Sequence, residues 1–154
     1  MPFIYATATT FNGYITAPNH SLDWLFAVPN DQAAAPTLQH SALVMGSHTY
    51  EWLLEHENLL AQPHKWAEFF GEKPVFVFSR RELATPQGAN IQLLRGPFAE
   101  HLPTIQAAAK GGTVWIQGGG DLAGQFLDVG ALDEIVLDVA PVALAAGAPL
   151  LPRE

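Results

Sequence analysis

Residues 44–52 read VMGSHTYEW: an apolar run halts at Gly46 and gives way at once to a helix-compatible stretch opened by Ser47, His48 and Thr49. A glycine there lets the backbone approach another group closely, and the first turn of a following helix leaves N–H groups unpaired at its end. Such an end attracts anions, phosphate above all, although a glycine between strand and helix also serves as a plain turn in any α/β protein. Residues 114–127, VWIQGGGDLAGQFL, repeat the pattern with three glycines, Gly118, Gly119 and Gly120, between a buried strand and a helix. The reading is a backbone kept bare so that a ligand can lie against it, with helix N–H groups facing a pyrophosphate. A tight turn without a ligand is the alternative.

Around these two turns the chain alternates. Strand-like runs occur at Phe3–Thr9, Ala42–Met45, Pro74–Phe78, Asn90–Leu93, Thr113–Gln117 and Leu132–Ala140, with helix-compatible stretches between several of them. That order predicts an α/β protein whose mostly parallel sheet is covered on both faces. In Phe98–Ala109 the apolar residues Phe98, Leu102, Ile105 and Ala109 follow helical spacing and Gly111 marks a stop, with Pro103 as a second candidate for the helix start. A helix over Asp121–Asp128 turns Leu122 and Phe126, with Gln125, toward a sheet. AQPHK and TPQGAN read as surface turns.

The chain has 154 residues, 49% of them apolar and 14% charged, which suits one domain spanning 1–154 with a sizeable core. It has no cysteine, so disulfides and thiolate chemistry are excluded. The start MPFIYATATT lacks the pattern of an export signal, and no apolar run is long enough for a bilayer, so a cytoplasmic protein is expected. A formal charge of −8 opposes nonspecific binding to nucleic acid or anionic membrane. Any phosphate site is therefore a local positive feature on an acidic surface.

Such a feature stands after PVFVF, where Ser79, Arg80 and Arg81 place two guanidinium groups at a strand's carboxyl end in a protein with only seven Lys and Arg. Arginine's planar fork suits phosphate oxygens, and ligands of open α/β sheets bind beyond the carboxyl ends of strands. Gly118, Gly120 and Ala123 also fit the Rossmann spacing, with Asp138 about twenty residues on. The sixteen residues after Asp138 are too few for the second half of such a fold.

In order and spacing, TFNGYIT, SLDWL, VMGSHTYEW, PVFVFSRR, VWIQGGGDLAGQFL and LDEIVLDVAPVALAAGAPLL resemble the dihydrofolate reductase superfold. Within it, they are most similar to the C-terminal reductase domain of bifunctional riboflavin-biosynthesis deaminase/reductases. The resemblance covers most of the chain and implies a dihydrofolate reductase-like three-layer fold with a mixed, mostly parallel central sheet, and an NADPH-dependent reductase. It implies that Gly46, Ser47, His48 and Thr49 meet cofactor phosphates, that Ser79 and Arg80, with Arg81, lie beside the adenosine 2′-phosphate, and that Gly118, Gly119, Gly120, Asp121 and Leu122 pass under the pyrophosphate. Asn12 and Gly13 match the loop over the nicotinamide side. The usual basic residue after Gly46 is here Ser47, so a preference for NADPH over NADH rests on Arg80 and Arg81. The sequence closes at LLPRE, where relatives usually continue into a terminal pair of strands. The strand Leu132–Ala140 is thus expected near a sheet edge, paired with a second subunit as a homodimer or covered by the tail.

Reduction of this type needs hydride geometry and a proton source more than a nucleophile. Asp23 is the candidate proton donor, directly or through a water; its alternative is to favour the positive end of a short helix. Trp24 and Asp31 are assigned to the substrate side, with a core anchor as the alternative for Trp24. The six histidines form no HExxH or HxxEH pattern, so no metal is expected. The function expected is reduction of a small pterin-like or ribosylaminopyrimidine-like molecule, as by a 5-amino-6-(5-phosphoribosylamino)uracil reductase. The alternative is a dinucleotide-binding module or dimeric scaffold without turnover.

Overall fold

The computed structural model describes residues 3–18, 21, 23–26 and 40–153. Six parallel strands form the central sheet: β1 (Phe3–Thr10), β3 (Ala42–Gly46), β4 (Val75–Phe78), β5 (Ile91–Leu94), β6 (Val114–Gly118) and β7 (Glu134–Ala140), in the order β5-β4-β3-β6-β1-β7. A separate antiparallel ribbon joins β2 (Tyr14–Thr16) to β8 (Ala148–Pro149). The central sheet is thus parallel throughout, and the antiparallel pairing expected within it lies in this ribbon beside it.

The inner strands are apolar on both faces because helices cover both. On one side, Leu43, Met45, Val75 and Val77 meet Tyr50 and Leu54 of α2 (Ser47–His56) and Trp66 of α3 (His64–Phe70). On the other, Tyr5, Val44 and Ile116 meet Ile105 of α4 (Leu102–Ala109) and Leu122 and Phe126 of α5 (Gly120–Asp128). Phe126 packs between Phe3 and Phe98, with ring centroids 5.0 and 4.7 Å away. Truncating such a buried ring to alanine costs about 3–5 kcal/mol. These are the three layers that the resemblance implies.

Several local expectations are corrected. AQPHK is not a turn throughout: α3 begins at His64, because Trp66 and Phe70, four residues apart, give that short stretch an apolar stripe. The stretch at Phe98 opens as a 3₁₀ turn over Phe98–His101, and the α-helix starts only at Leu102, next to Pro103. Gln125 does not join Leu122 and Phe126 in the core; half-buried at the cleft, it donates through Nε2 to Asp121 at 3.1 Å.

β7 is an edge strand, as expected, with β5 at the other edge. The tail does not cover it. Instead β8 pairs with β2, Leu150 N–H donates to the Gly13 carbonyl at 2.8 Å, and the Tyr5 hydroxyl donates to the Leu150 carbonyl at 2.8 Å. Arg153 then anchors the tail to α5 through Asp128 at 2.9 Å and Asp121 at 3.4 Å.

Candidate functional site

The strand order places the site. β3 and β6 are neighbours, yet α2 leaves β3 toward one face and α5 leaves β6 toward the other. A crevice opens between two such diverging helices at the carboxyl ends of their strands, which is where open α/β sheets bind ligands. Here it is a cleft of about 410 Å³, within the range of small-molecule sites.

The two glycine turns face each other across its floor. A methyl group built on Gly46 would lie 3.6 Å from both the Gly118 carbonyl oxygen and the Gly119 nitrogen. Gly118 has φ +129°, a conformation that favours glycine, and the Gly118–Gly119 peptide bond is cis. Gly120 has no room for a side chain: its Cβ would meet the Pro149 and Leu150 carbonyl oxygens at 2.4 and 2.6 Å. The tail therefore forms a wall of the cleft, through Ala148, Pro149 and Pro152.

Gly46 is the N-cap of α2 and Gly119 that of α5, and neither helix start has a side-chain cap. Both N-termini thus bring backbone N–H groups without side-chain acceptors to one cavity, a donor set suited to a pyrophosphate. These residues fit a dinucleotide. Ser47, His48, Thr49, Asp121 and Leu122 also line the cleft, so the two motifs read from sequence converge.

Other assigned residues lie elsewhere. Asn12 is engaged in loop contacts: its Oδ1 accepts from Thr10 Oγ1 at 2.9 Å and Leu144 N–H at 3.2 Å, and its Nδ2 donates to the Leu144 carbonyl at 2.8 Å. Gly13, with φ +88°, turns the chain from β1 into β2. Neither lines the cleft; Ile15 and Thr16, just beyond them, do. Asp23 opens the short helix α1 (Asp23–Phe26), exposed, with its N–H donating to Ser21 Oγ at 3.3 Å. Ser21 in turn bridges Ala17, next to Thr16 on the cleft wall. Trp24 is buried, and its indole N–H finds no acceptor among the described residues. Asp31 lies outside the described residues.

Ser79, Arg80 and Arg81 follow Phe78, which pairs with Gly46 in the sheet and lines the cleft. The arginines themselves stand beyond the cleft wall, and Arg81 is bonded to Glu51 of α2. Glu51 is thus held in an ion pair. His56 stacks on Trp52 with ring centroids 4.4 Å apart and planes 12° from parallel.

Trp52, Phe78 and Gln125 also line the cleft, although none of them is assigned to a site from sequence. Trp52 sits three residues after Thr49, nearly one helical turn, and that spacing from the glycine turn was the available signal. The tail residues gave none, since only the tertiary path of the chain brings them here.

Comparison with known proteins settles the family. The profile of the RibD C-terminal domain matches residues 3–154. The chain belongs to the RibD C-terminal domain family. Among curated relatives, the uncharacterized protein YwjB of Bacillus subtilis (strain 168) is 27% identical over 156 residues, covering 93% of this chain and 78% of that one. Among solved structures, a putative riboflavin biosynthesis protein from Shewanella sp. PV-4 superposes with a TM-score of 0.79 at 28% identity, covering 99% and 84% of the two chains. The dihydrofolate reductase of Enterococcus faecalis, solved with NADP(H), superposes with a TM-score of 0.56 at 15% identity over 99% and 77%. That likeness shows the shared fold alone. The family carries a reductase-like fold, and among the described residues no helix is long and apolar enough to cross a membrane.

Proposed function

We propose that the chain is an NADPH-dependent reductase of a small planar heterocycle, pterin-like or ribosylaminopyrimidine-like. The observation that carries this reading is the convergence of two helix N-termini without side-chain caps, α2 and α5, on one cleft in a RibD-type fold. The nicotinamide, when bound, supplies the hydride. The chain's own part is to bind and orient. Backbone N–H groups after Gly46 and Gly119 hold the pyrophosphate, and Thr49 lies beside the Gly118 turn, its Oγ1 3.8 Å from where a Gly118 Cβ would stand. Ile15, Trp52 and Phe78 give the cavity apolar walls that keep water from the reacting carbon.

Asp23 is the proposed proton source, acting through a water because its carboxylate is exposed and stands off the cleft wall. Arg80 is the proposed 2′-phosphate contact, which favours NADPH, with NADH as the weaker ligand. We also propose that the protein works in the cytoplasm as a homodimer joined along the open edge of β7, where Ile135, Leu137 and Val139 are exposed.

The test is NADPH oxidation in the presence of dihydropterin and aminopyrimidine substrates, with the wild type and Asp23→Asn compared. Turnover that falls by about 10²-fold or more in the variant, with cofactor affinity kept, supports the proton-source role. Unchanged turnover counts against Asp23. Cofactor binding without turnover on any of these compounds favours a dinucleotide-binding module.

A further inference from the structure

We infer that the substrate of this cleft carries no phosphate ester: it is an unphosphorylated heterocycle, neutral or cationic. The inference rests on the reading of the cleft as a dinucleotide reductase site, and it follows from where the chain keeps its positive charge.

Seven residues carry a permanent positive charge: Lys65, Lys73, Arg80, Arg81, Arg95, Lys110 and Arg153. Two of them stand at the wrong end of the sheet. Lys73 precedes β4 and Lys110 precedes β6, at the amino ends of the strands, and Lys110 lines a separate groove there with Pro74. Lys65 belongs to α3, after α2 has carried the chain away from the cleft. Arg95 follows β5, the outer strand on that side and two places from β3, roughly 10 Å across at the usual strand spacing.

Arg153 is near, but its guanidinium is committed. Nε and Nη2 each donate to Asp128 at 2.9 Å, and Nη1 faces Asp121 at 3.4 Å and the Pro152 carbonyl at 2.7 Å. Arg80 and Arg81 remain. They flank the end of β4 beside Gly46, where the proposed cofactor phosphate falls, and Arg81 already holds Glu51.

No permanent cation is left for a second phosphate, and His48, the one imidazole among the described residues lining the cleft, stands in the first turn of α2 at the proposed cofactor phosphates. Among the described residues lining the cleft, none is Lys or Arg, and Asp121 adds a negative charge. The residues of the chain outside the description, including 27–39, contain no Lys or Arg either. A phosphate ester is held in proteins by charge-assisted hydrogen bonds or by a helix N-terminus, and both N-termini at this cleft are taken by the dinucleotide. On a chain with formal charge −8, a doubly charged ester would enter the remaining space without compensation.

The test uses NADPH-saturated protein and a matched pair of probes, 5-amino-6-(ribosylamino)uracil and its 5-phosphate ester, followed by tryptophan fluorescence. The expected result is that the unphosphorylated compound binds at least as tightly as the ester, with ribose 5-phosphate alone showing no binding. An ester that binds about tenfold tighter or more, in a salt-dependent way, overturns the inference, as does saturable binding of ribose 5-phosphate. Failure of the protein to bind NADPH or NADH at the outset removes the reductase reading beneath it, which distinguishes the two failures.

Discussion

The hydroxyl of Tyr5, on the buried strand β1, donates to the carbonyl of Leu150 in the C-terminal tail at 2.8 Å. One hydrogen bond thus links the centre of the sheet to the segment that walls the cleft. Tyr5→Phe keeps the ring and leaves the Leu150 carbonyl without this donor. The expected loss is about 1 kcal/mol in denaturant unfolding, together with weaker NADPH binding as the tail loosens. Unchanged cofactor affinity would detach the tail from the site.

The glycines of the second turn differ in what they tolerate. Gly120→Ala drives a methyl group into the Pro149 and Leu150 carbonyl oxygens, whereas at Gly119, with φ −74°, the nearest atom is Ile15 Cδ1 at 4.0 Å. Gly120→Ala is expected to destabilise the protein by about 1–3 kcal/mol, as overpacking does, and Gly119→Ala to cost well under that. Thermal unfolding of the two variants side by side checks the contrast.

Tyr50 gives a pH dependence. Its hydroxyl donates to the Ala84 carbonyl at 2.6 Å, and burial pushes its pKa up from 10.0 to about 12. The folded state therefore holds the phenolic proton more tightly than the unfolded state. The resulting stability is fully present below pH 10 and is lost as the pH rises from 10 through about 12. Burial pushes Tyr5 in the same direction. Denaturant midpoints measured across that window should fall, and the fall should be shallower in Tyr50→Phe.

The edge strand predicts a register as well as a dimer. Antiparallel pairing of two β7 strands centred on Leu137 sets Ile135 against Val139 of the second copy, which buries the exposed apolar row. Centring on Val136 would instead place Glu134 opposite Asp138, two like charges. Leu137→Arg should then give a monomer in sedimentation velocity at concentrations where the wild type is a dimer. A wild-type monomer whose mass is independent of concentration refutes the interface.

Much of this architecture is legible in the sequence because parallel strands buried on both faces leave continuous apolar runs, as at Ala42–Met45 and Thr113–Gln117. The glycines that end those runs mark the cleft for the same reason: a helix must start there with its N–H groups bare. Gly46 and Gly118 could be named as ligand turns, but their contact with each other follows from β3 and β6 being neighbours, which no local pattern encodes. The tail was harder still. Ala148, Pro149 and Pro152 reach the cleft through the Tyr5–Leu150 bond, between residues 145 apart, and through the more local contact of Arg153 with Asp128. α3 was hidden because its stripe, Trp66 and Phe70, spans little more than one helical turn.

The most direct test of the account is equilibrium titration of the purified protein with NADPH and, separately, NADH, followed by tryptophan quenching and energy transfer to the nicotinamide, with Arg80→Ala alongside. Saturable NADPH binding is expected, weakening by about tenfold in the variant, with NADH affinity little changed. Absence of binding by either cofactor at millimolar concentration would contradict the claim that this cleft is a dinucleotide site.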